Sequence, residues 1–122
     1  MSKEMAKGAC FEQDTVDYLS RVLGDDRIER RVKHGRNDRG DVAGVLIRGK
    51  RTVIECKCCK SMDLATWVKE AEEERVNDDA EFGVVVHKRK GCGVKKFGEN
   101  YVTMKLETLA AIIAGSKELL ND

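Results

Sequence analysis

The chain has 122 residues, of which 41% are hydrophobic and 37% are charged, and its formal net charge is +1. This length suits one domain with a substantial core, so we expect a single domain over residues 1–122. No apolar run approaches the roughly 20 residues that a membrane span needs, and the first residues lack the apolar centre of a secretory signal. The cysteines number five, an odd count without the spacing of a disulfide framework. Composition therefore predicts a cytoplasmic protein in a reducing compartment, with no membrane partner.

Charge is unevenly distributed along the chain, although the net charge is small. Six Lys/Arg accompany two acids over residues 27–39, and five Lys/Arg occur without an acid over residues 88–96. Residues 63–81 carry eight acids and two bases instead. Segregated basic loops are typical of surfaces that bind a polyanion, although ordinary solvated loops can have the same composition.

Residues 3–23 have the spacing of an amphipathic helix, for which Ser2 is a candidate N-cap. Its inward stripe consists of positions spaced four and three apart: Met5, Ala9, Glu12, Val16, Leu19 and Leu23. Glu12 interrupts this otherwise apolar stripe. Its carboxylate either points at a positive partner, a metal ion or a lysine, or lies at the rim of the stripe and reaches solvent.

The next elements are a weakly alternating strand over Arg27–Lys33, a loop over residues 34–40 and a β-hairpin over Asp41–Lys57. In the hairpin, two runs rich in β-branched residues flank the polar connection Arg48–Arg51. The hairpin carries the polar residues on which the functional interpretation depends.

The register of the hairpin decides whether these polar residues meet. Glu55 and Lys57 are two apart on the second strand, so both point to one face. Asp41 joins that face if the connection has an odd number of residues, if a bulge shifts the register, or if Asp41 lies beyond the regular ladder. Strict pairing through a two-residue Gly49–Lys50 turn would place Asp41 on the opposite face, with Cys56.

A second helix follows the hairpin, with Asp63 as its N-cap and an end near Asp78. Its apolar stripe consists of Leu64, Trp67, Val68, Ala71 and Val76. We expect its acidic face to be solvated; this face consists of Glu70, Glu72, Glu73 and Glu74. The continuous apolar run Phe82–His87 then predicts a strand that is buried on both faces.

The last third of the chain contains a basic loop over Lys88–Gly98, a short strand over Tyr101–Met104 and a helix over Leu106–Leu120. The residues of this helix that we expect to turn inward are Leu109, Ile112, Ile113 and Leu120. Together the elements predict an α/β fold with a central mixed β-sheet flanked by helices, in the order α-β-β-β-α-β-β-α. The helix between the hairpin and the strand Phe82–His87 predicts a right-handed β-α-β unit.

The hairpin also offers the donor atoms that a hard divalent cation prefers. Asp41 and Glu55 supply carboxylate oxygens, and the backbone carbonyl of Cys56 can supply a third oxygen. Mg²⁺ takes few protein ligands and keeps several waters, and Mn²⁺ can substitute for it. Lys57 can orient or deprotonate an attacking water, or stabilise the charge of a phosphate. These groups predict metal-dependent phosphodiester hydrolysis.

Basic side chains near this face are candidates for binding DNA phosphates. They are Arg36, Arg39, Lys60, Lys88, Arg89, Lys90, Lys95 and Lys96. A chain of this size has little room for sequence-specific readout, so we expect structure-specific cutting of branched DNA by a symmetric homodimer.

Two motifs resemble a known family. Gly40-Asp41, thirteen intervening residues and Glu55-Cys56-Lys57 resemble the PD-(D/E)XK nuclease signature, with glycine where proline often stands. Gly8-Ala9-Cys10-Phe11-Glu12 resembles the opening helix of archaeal Holliday junction resolvases and related phage nucleases. The resemblance covers nearly the whole chain and implies a restriction-endonuclease-like core.

The resemblance further implies roles for individual residues. Asp41 and Glu55 would bind Mg²⁺, and Lys57 would be catalytic. Glu12 would complete the metal site, directly or through a water. The implied activity is that of a DNA endonuclease, most similar to a Holliday junction resolvase. The runner-up that the resemblance implies is an exonuclease or a non-specific nuclease of a phage-type recombination system.

Two other classes of function compete with this interpretation. A zinc or redox module would draw its ligands from Cys56, Cys58, Cys59, Cys92, His34 and His87. The Cys-x-Cys-Cys spacing lacks the two-residue gap of a zinc knuckle, and Cys56 and Cys58 are better explained as small core residues. The other class is a non-catalytic nucleic-acid-binding module on the same fold, against which the presence of Asp41, Glu55 and Lys57 argues.

Overall fold

A computed structural model of the chain describes residues 3–31 and 38–120, with side chains from Lys7 onward. The helices are α1 (Lys3–Leu23), α2 (Leu64–Asn77) and α3 (Leu106–Ala114), with short 3₁₀ helices at Val94–Glu99 and Lys117–Leu119. The strands are β1 (Glu29–Arg30), β2 (Val42–Ala43), β3 (Leu46–Ile47), β4 (Lys50–Lys57), β5 (Phe82–His87) and β6 (Tyr101–Thr103). The protein is therefore a mixed α/β structure with a mixed sheet flanked by helices, which confirms the predicted fold class at this level.

The sheet has the strand order β1-β2-β4-β5-β6, and β3 pairs with β4 beside this path. β4 and β5 are parallel and are connected through α2, whereas the other neighbouring strands are antiparallel. All residues of β5 are buried, as the continuous apolar run predicted. Within the described residues, no helix combines the length and apolar character that a membrane span requires.

The two central strands are covered by different helices on their two faces. On one face, Phe11 and Val16 of α1 belong to a buried cluster with Ile54 of β4. On the other face, Trp67 and Ala71 of α2 pack against Val85 of β5. Because successive side chains of a strand alternate between faces, Cys56 lies on the α1 face of β4, and Glu55 and Lys57 lie on the α2 face.

Close packing of α2 against the sheet depends on a glycine in β5. A Cβ atom at Gly83 would lie 2.8 Å from the carbonyl oxygen of Ala71, which is too close for any larger residue. The missing side chain lets the backbone of α2 approach the strand, and it thereby fixes the distance between α2 and the polar face of β4.

The register of the hairpin combines a two-residue turn with a bulge. Leu46 pairs with Arg51, so the turn is Arg48–Gly49 and has an even number of residues. Val42 pairs with Ile54, and Val45 accepts a hydrogen bond from Thr52 N–H at 3.0 Å.

Two residues of the first arm, Ala43 and Gly44, therefore stand opposite Val53 alone, which defines a β-bulge. Gly44 has φ 86°, and a Cβ atom there would overlap the carbonyl oxygen of Arg27. The bulge divides the first arm into β2 and β3 and returns Asp41 to the face of Glu55. It is one of the three arrangements that the sequence left open.

The final helix differs most from its prediction. α3 ends at Ala114, because Gly115 adopts φ 86° and its N–H donates to the carbonyl oxygens of Ala111 and Ile112. Leu109 and Ile113 were predicted to point inward, but they are 43% and 69% exposed.

The side chains of α3 that are buried are Thr108 and Ala111. Ala111 packs with Phe82 and Leu120, and Ile112 lies partly buried beside them. Leu120 is inward as predicted, although it lies beyond the helix.

Smaller differences concern the ends of elements. The first strand covers Glu29–Arg30 only, and Val32–Asn37 lie outside the described residues, as does Ser2. Asp63 occupies the N-cap position of α2 without a capping hydrogen bond from its side chain. The predicted loop Lys88–Gly98 contains the start of the 3₁₀ helix Val94–Glu99.

Candidate metal centre

The bulged register brings the carboxylates of Asp41 and Glu55 together. Asp41 N–H donates to the carbonyl oxygen of Ile54 at 2.9 Å, and Asp41 Oδ2 accepts the N–H of Cys56 at 2.8 Å. Both carboxylates are buried, since Asp41 is 3% exposed and Glu55 is 4% exposed. Two acidic groups from adjacent strands thus meet on the α2 face of the sheet.

The glycine that precedes Asp41 is required by the local backbone. Gly40 has φ 95°, and a Cβ atom there would lie 2.6 Å from Val53 Cγ1. Proline fixes φ near −65°, so it cannot adopt this conformation. A proline at this position would therefore not fit the way in which the chain enters β2.

The structure adds Glu74 and Asp38 to the site, neither of which the sequence interpretation had selected. One carboxylate oxygen from each of Asp38, Glu55 and Glu74 lies within 4.8 Å of the others. Glu74 was predicted to be solvated, but it is only 3% exposed. Its spacing from Trp67 and Ala71 places it on the inward face of α2, so helical periodicity alone could have identified it.

Burial and like charge make this group electrostatically unfavourable. Burial, followed by hydrogen bonds with the side chains of Asp41 and Glu74 and by their like charge, raises the pKa of Glu55. Burial is also the main cause of the raised pKa of Glu74. Glu55 Oε1 and Glu74 Oε2 are buried, and no N–H or hydroxyl group of the described residues donates to them. The cluster needs either protons or a cation to offset its charge.

Lys57 is the amine beside this cluster. Its Nζ atom lies 2.8 Å from Glu70 Oε2 and 3.8 Å from Glu55 Oε2. Burial alone would lower the pKa of Lys57, but the hydrogen bond to Glu70 and the charge of Glu55 outweigh it, and the pKa is raised. Lys57 is therefore a protonated donor at neutral pH. Glu70, predicted to be solvated, is the residue that positions it.

Cys56 contributes its backbone to the site and its side chain to the core. Its N–H points toward Asp41 and β2, and its carbonyl shares that edge of β4 because N–H and C=O of one strand residue point the same way. Its side chain and that of Cys58 pack against the cluster on the α1 face. Burial, followed by the charge of Asp41, raises the pKa of the Cys56 thiol.

Glu12 lies apart from the group formed by Asp38, Glu55 and Glu74. Its Oε1 atom accepts a hydrogen bond from Arg30 Nε at 3.2 Å, and its side chain is 17% exposed. Its neighbour Phe11 packs on the α1 face of the sheet. Of the arrangements expected from the sequence, the structure shows one with a positive partner, and that partner is an arginine.

The predicted DNA-binding residues are exposed wherever the structure describes them. These exposed residues are Arg39, Lys60, Lys88, Arg89, Lys90, Lys95 and Lys96, and Arg36 lies outside the described residues. Lys88 directly follows β5, and its N–H donates to the carbonyl oxygen of Lys57 at 3.1 Å. Arg89 forms a 2.6 Å ion pair with Glu99. The basic segment Lys88–Lys90 therefore starts at the same end of the sheet as Lys57.

Cysteines and His87 are the described residues that a zinc or redox module would use. All five cysteines are free thiols. His87 is buried, its Nε2 atom lies 2.7 Å from Thr103 Oγ1, and its ring packs against Trp67. Among the side chains of residues 7–31 and 38–120, the group of three or more potential ligands close enough to share an ion is Asp38, Glu55 and Glu74.

No family model, curated protein or solved structure matches the chain. The site is therefore interpreted from its own geometry. Its donors are carboxylate oxygens and a backbone carbonyl, and a protonated lysine stands next to them. Oxygen ligands of this kind suit a hard divalent cation such as Mg²⁺ or Mn²⁺.

Proposed function

We propose that the protein is a metal-dependent DNA endonuclease with a restriction-endonuclease-like core. The observation that carries the proposal is the convergence of two buried carboxylates, Asp41 and Glu55, beside the protonated Lys57. These three residues are the ones that match the PD-(D/E)XK signature. Their convergence depends on a bulge that a regular two-residue hairpin would lack.

The donor set fits Mg²⁺, with Mn²⁺ as a substitute. Asp41, Glu55 and the carbonyl of Cys56 would hold the ion, and no N–H or hydroxyl group of the described residues donates to the buried Glu55 Oε1 atom. When bound, such an ion lowers the pKa of a coordinated water and offsets charge on a phosphate. Glu12 Oε1 accepts a hydrogen bond from Arg30, so we assign Glu12 a role at the ion through a water.

Lys57 acts as a positively charged hydrogen-bond donor in this proposal. Its raised pKa favours the ammonium form, which cannot accept a proton from water. The ammonium group orients the attacking water or stabilises the charge that develops on the phosphate. Glu70 fixes its position through the 2.8 Å hydrogen bond.

The substrate we propose is branched DNA, cut by a homodimer in the manner of a Holliday junction resolvase. Lys88, Arg89 and Lys90 leave the sheet next to Lys57 and are exposed, which suits contacts with the phosphates around a scissile bond. Lys95 and Lys96 extend the same basic segment. Such contacts position a nucleic acid without reading its sequence, in keeping with structure-specific cutting.

The test compares wild-type protein with Asp41→Asn and Lys57→Ala on four DNA substrates: a four-way junction, a flap, a duplex and a single strand. We expect each variant to lose roughly 10³-fold or more of Mg²⁺-dependent cleavage, because the metal and the charged donor together supply several kcal/mol. DNA affinity should change little. Matched controls are Glu107→Gln and Lys69→Ala, two exposed sites away from the cluster.

The outcomes separate the possible activities. Paired symmetric nicks in the junction support a resolvase, and progressive shortening from DNA ends would replace it with an exonuclease. DNA binding by wild-type protein without cleavage in Mg²⁺ or Mn²⁺ would leave only a binding module. Unchanged cleavage by Asp41→Asn or Lys57→Ala would overturn the assignment of the site.

A further inference from the structure

Glu74 and Asp38 form a group with Glu55 that lies outside the nuclease motif. The three residues come from different elements: Asp38 precedes β2, Glu55 lies on β4 and Glu74 lies on α2. One oxygen from each lies within 4.8 Å of the other two. Surface acids commonly cluster by chance, but Glu55 and Glu74 are 4% and 3% exposed, so their proximity is imposed by the fold.

The position of Asp38 is fixed by contacts on both sides. Its Oδ1 atom accepts the N–H of Gly40 at 2.9 Å, which closes a short turn before β2. Its backbone carbonyl accepts Asn77 Nδ2 at 2.9 Å, which ties the turn to the end of α2. Asn77 is three residues after Glu74, so the same helix holds both the turn and the buried carboxylate.

The second observation that points to a ligand is the state of the buried oxygens. Glu55 Oε1 and Glu74 Oε2 are both buried, and no N–H or hydroxyl group of the described residues donates to them. The nearby amine, Lys57, directs its shorter contact to Glu70 at 2.8 Å and lies 3.8 Å from Glu55. Buried carboxylates this close to one another are costly unless a proton or a cation lies between them.

We propose that Asp38, Glu55 and Glu74 bind a second divalent cation, which shares Glu55 with the ion held by Asp41 and Glu55. Two ligands on opposite sides of one Mg²⁺ or Mn²⁺ are about 4.2 Å apart, so a small closure of the side chains suffices. A bridging carboxylate is the usual feature of sites that hold two ions about 3.5–4 Å apart and act on phosphate esters. The part of this second ion in cleavage rests on the proposed nuclease function, whereas its binding does not.

The experiment measures Mn²⁺ stoichiometry by electron paramagnetic resonance and calorimetry on the full chain, without DNA. We expect two bound Mn²⁺ for the wild type and one for Glu74→Gln, or a second site weakened at least about 10-fold, as the loss of a ligand requires. Asp38→Asn is the companion variant, because Asp38 is only partly buried and its substitution leaves the helix packing intact. The matched control is Glu73→Gln, an exposed neighbour on the same helix, which should still bind two ions.

The results distinguish the second site from the nuclease proposal. A wild type that binds a single Mn²⁺, or a pair of variants that retain two ions at wild-type affinity, would overturn the second site whether or not the protein cuts DNA. A wild type that binds two ions, loses one in Glu74→Gln and Asp38→Asn, and cuts no DNA would support the site and refute the nuclease. Circular dichroism melts identify any variant that fails to fold. If Glu74→Gln does not fold, the Mn²⁺ stoichiometry of Asp38→Asn decides whether the second site exists.

Discussion

Two neighbouring residues of α2, Arg75 and Glu74, are both buried, but the charges around them differ. Arg75 is 1% exposed, and it donates to Glu72 Oε1 at 2.6 Å and to the carbonyl oxygen of Ala80 at 3.1 Å. Glu74 is 3% exposed and faces the carboxylates of Glu55 and Asp38. The arginine is paired and satisfied, whereas the glutamate is surrounded by groups of its own sign.

The paired charges hold the end of α2 to the rest of the fold. Beyond Arg75, the buried Asp78 accepts two hydrogen bonds from Arg31 at 3.3 Å, and its backbone carbonyl accepts one from Arg51 at 2.8 Å. These contacts join the helix to the segment after β1 and to β4. Opposite charges with complementary hydrogen bonds have a structural explanation, so they require no ligand. In the group around Glu55, buried carboxylates lie beside one another and the nearby Lys57 makes its shorter contact with Glu70, and this difference is why we assign the group a cation.

The largest effect on stability should come from breaking the paired region. Arg75→Met retains much of the side-chain volume but leaves Glu72 and the carbonyl of Ala80 without their donor. We expect the free energy of unfolding to fall by about 3–5 kcal/mol, as is typical when one partner of a buried charge pair is removed. Urea unfolding measures this change, with Lys69→Met as the exposed control expected within about 0.5 kcal/mol of the wild type. A loss below about 1 kcal/mol for Arg75→Met would remove the contrast between the two regions.

A smaller change in the free energy of unfolding, of opposite sign, is expected from a substitution in the acidic group around Glu55. The pKa of Glu74 is raised in the folded protein, mainly by burial, so the folded state holds a proton that the unfolded state releases as pH rises above about 4.5. The cost to stability therefore grows from about pH 4.5 up to the folded pKa of about 7 and stays constant above it. Glu74→Gln removes this cost, and we expect the cation-free protein to gain on the order of 2 kcal/mol at pH 8 and little at pH 4.5.

Thermal melts in a chelating buffer at pH 4.5 and pH 8 check this prediction. Mn²⁺ should then narrow or reverse the stability difference between Glu74→Gln and the wild type at pH 8, because it stabilises the wild type at a site that the variant has lost. A variant that is less stable than the wild type at both pH values without a cation would show that Glu74 is a structural residue like Arg75.

The sequence predicted the elements with strong periodicity and the residues of the hairpin. The helix over residues 3–23 and the strand Phe82–His87 have the predicted bounds, because apolar spacing and a continuous β-branched run are local signals. Parity arguments also limited how Asp41 could reach the face of Glu55. They could not choose between an odd turn and a bulge, since that choice depends on the contact of Gly44 with Arg27, which is distant in sequence.

Other features depended on tertiary contacts that the sequence pattern does not specify. Leu109 and Ile113 fit an inward stripe by composition, but α3 packs through Thr108 and Ala111, whose small side chains allow close approach to the sheet. Glu74 was assigned to a solvated face because acids surround it in the sequence. The spacing of Glu74 from Trp67 places it on the inward face of α2. The sequence interpretation assigned only apolar residues to that face and therefore missed Glu74.

The most direct test of the central claim is a crystal structure of the protein grown with Mn²⁺, with anomalous difference maps collected at the manganese edge. We predict a peak between the carboxylates of Asp41 and Glu55, at about 2.2 Å from their oxygens. The second proposal adds a peak between Asp38, Glu55 and Glu74. A map with no peak at the Asp41 and Glu55 carboxylates, from crystals in millimolar Mn²⁺, would contradict the account.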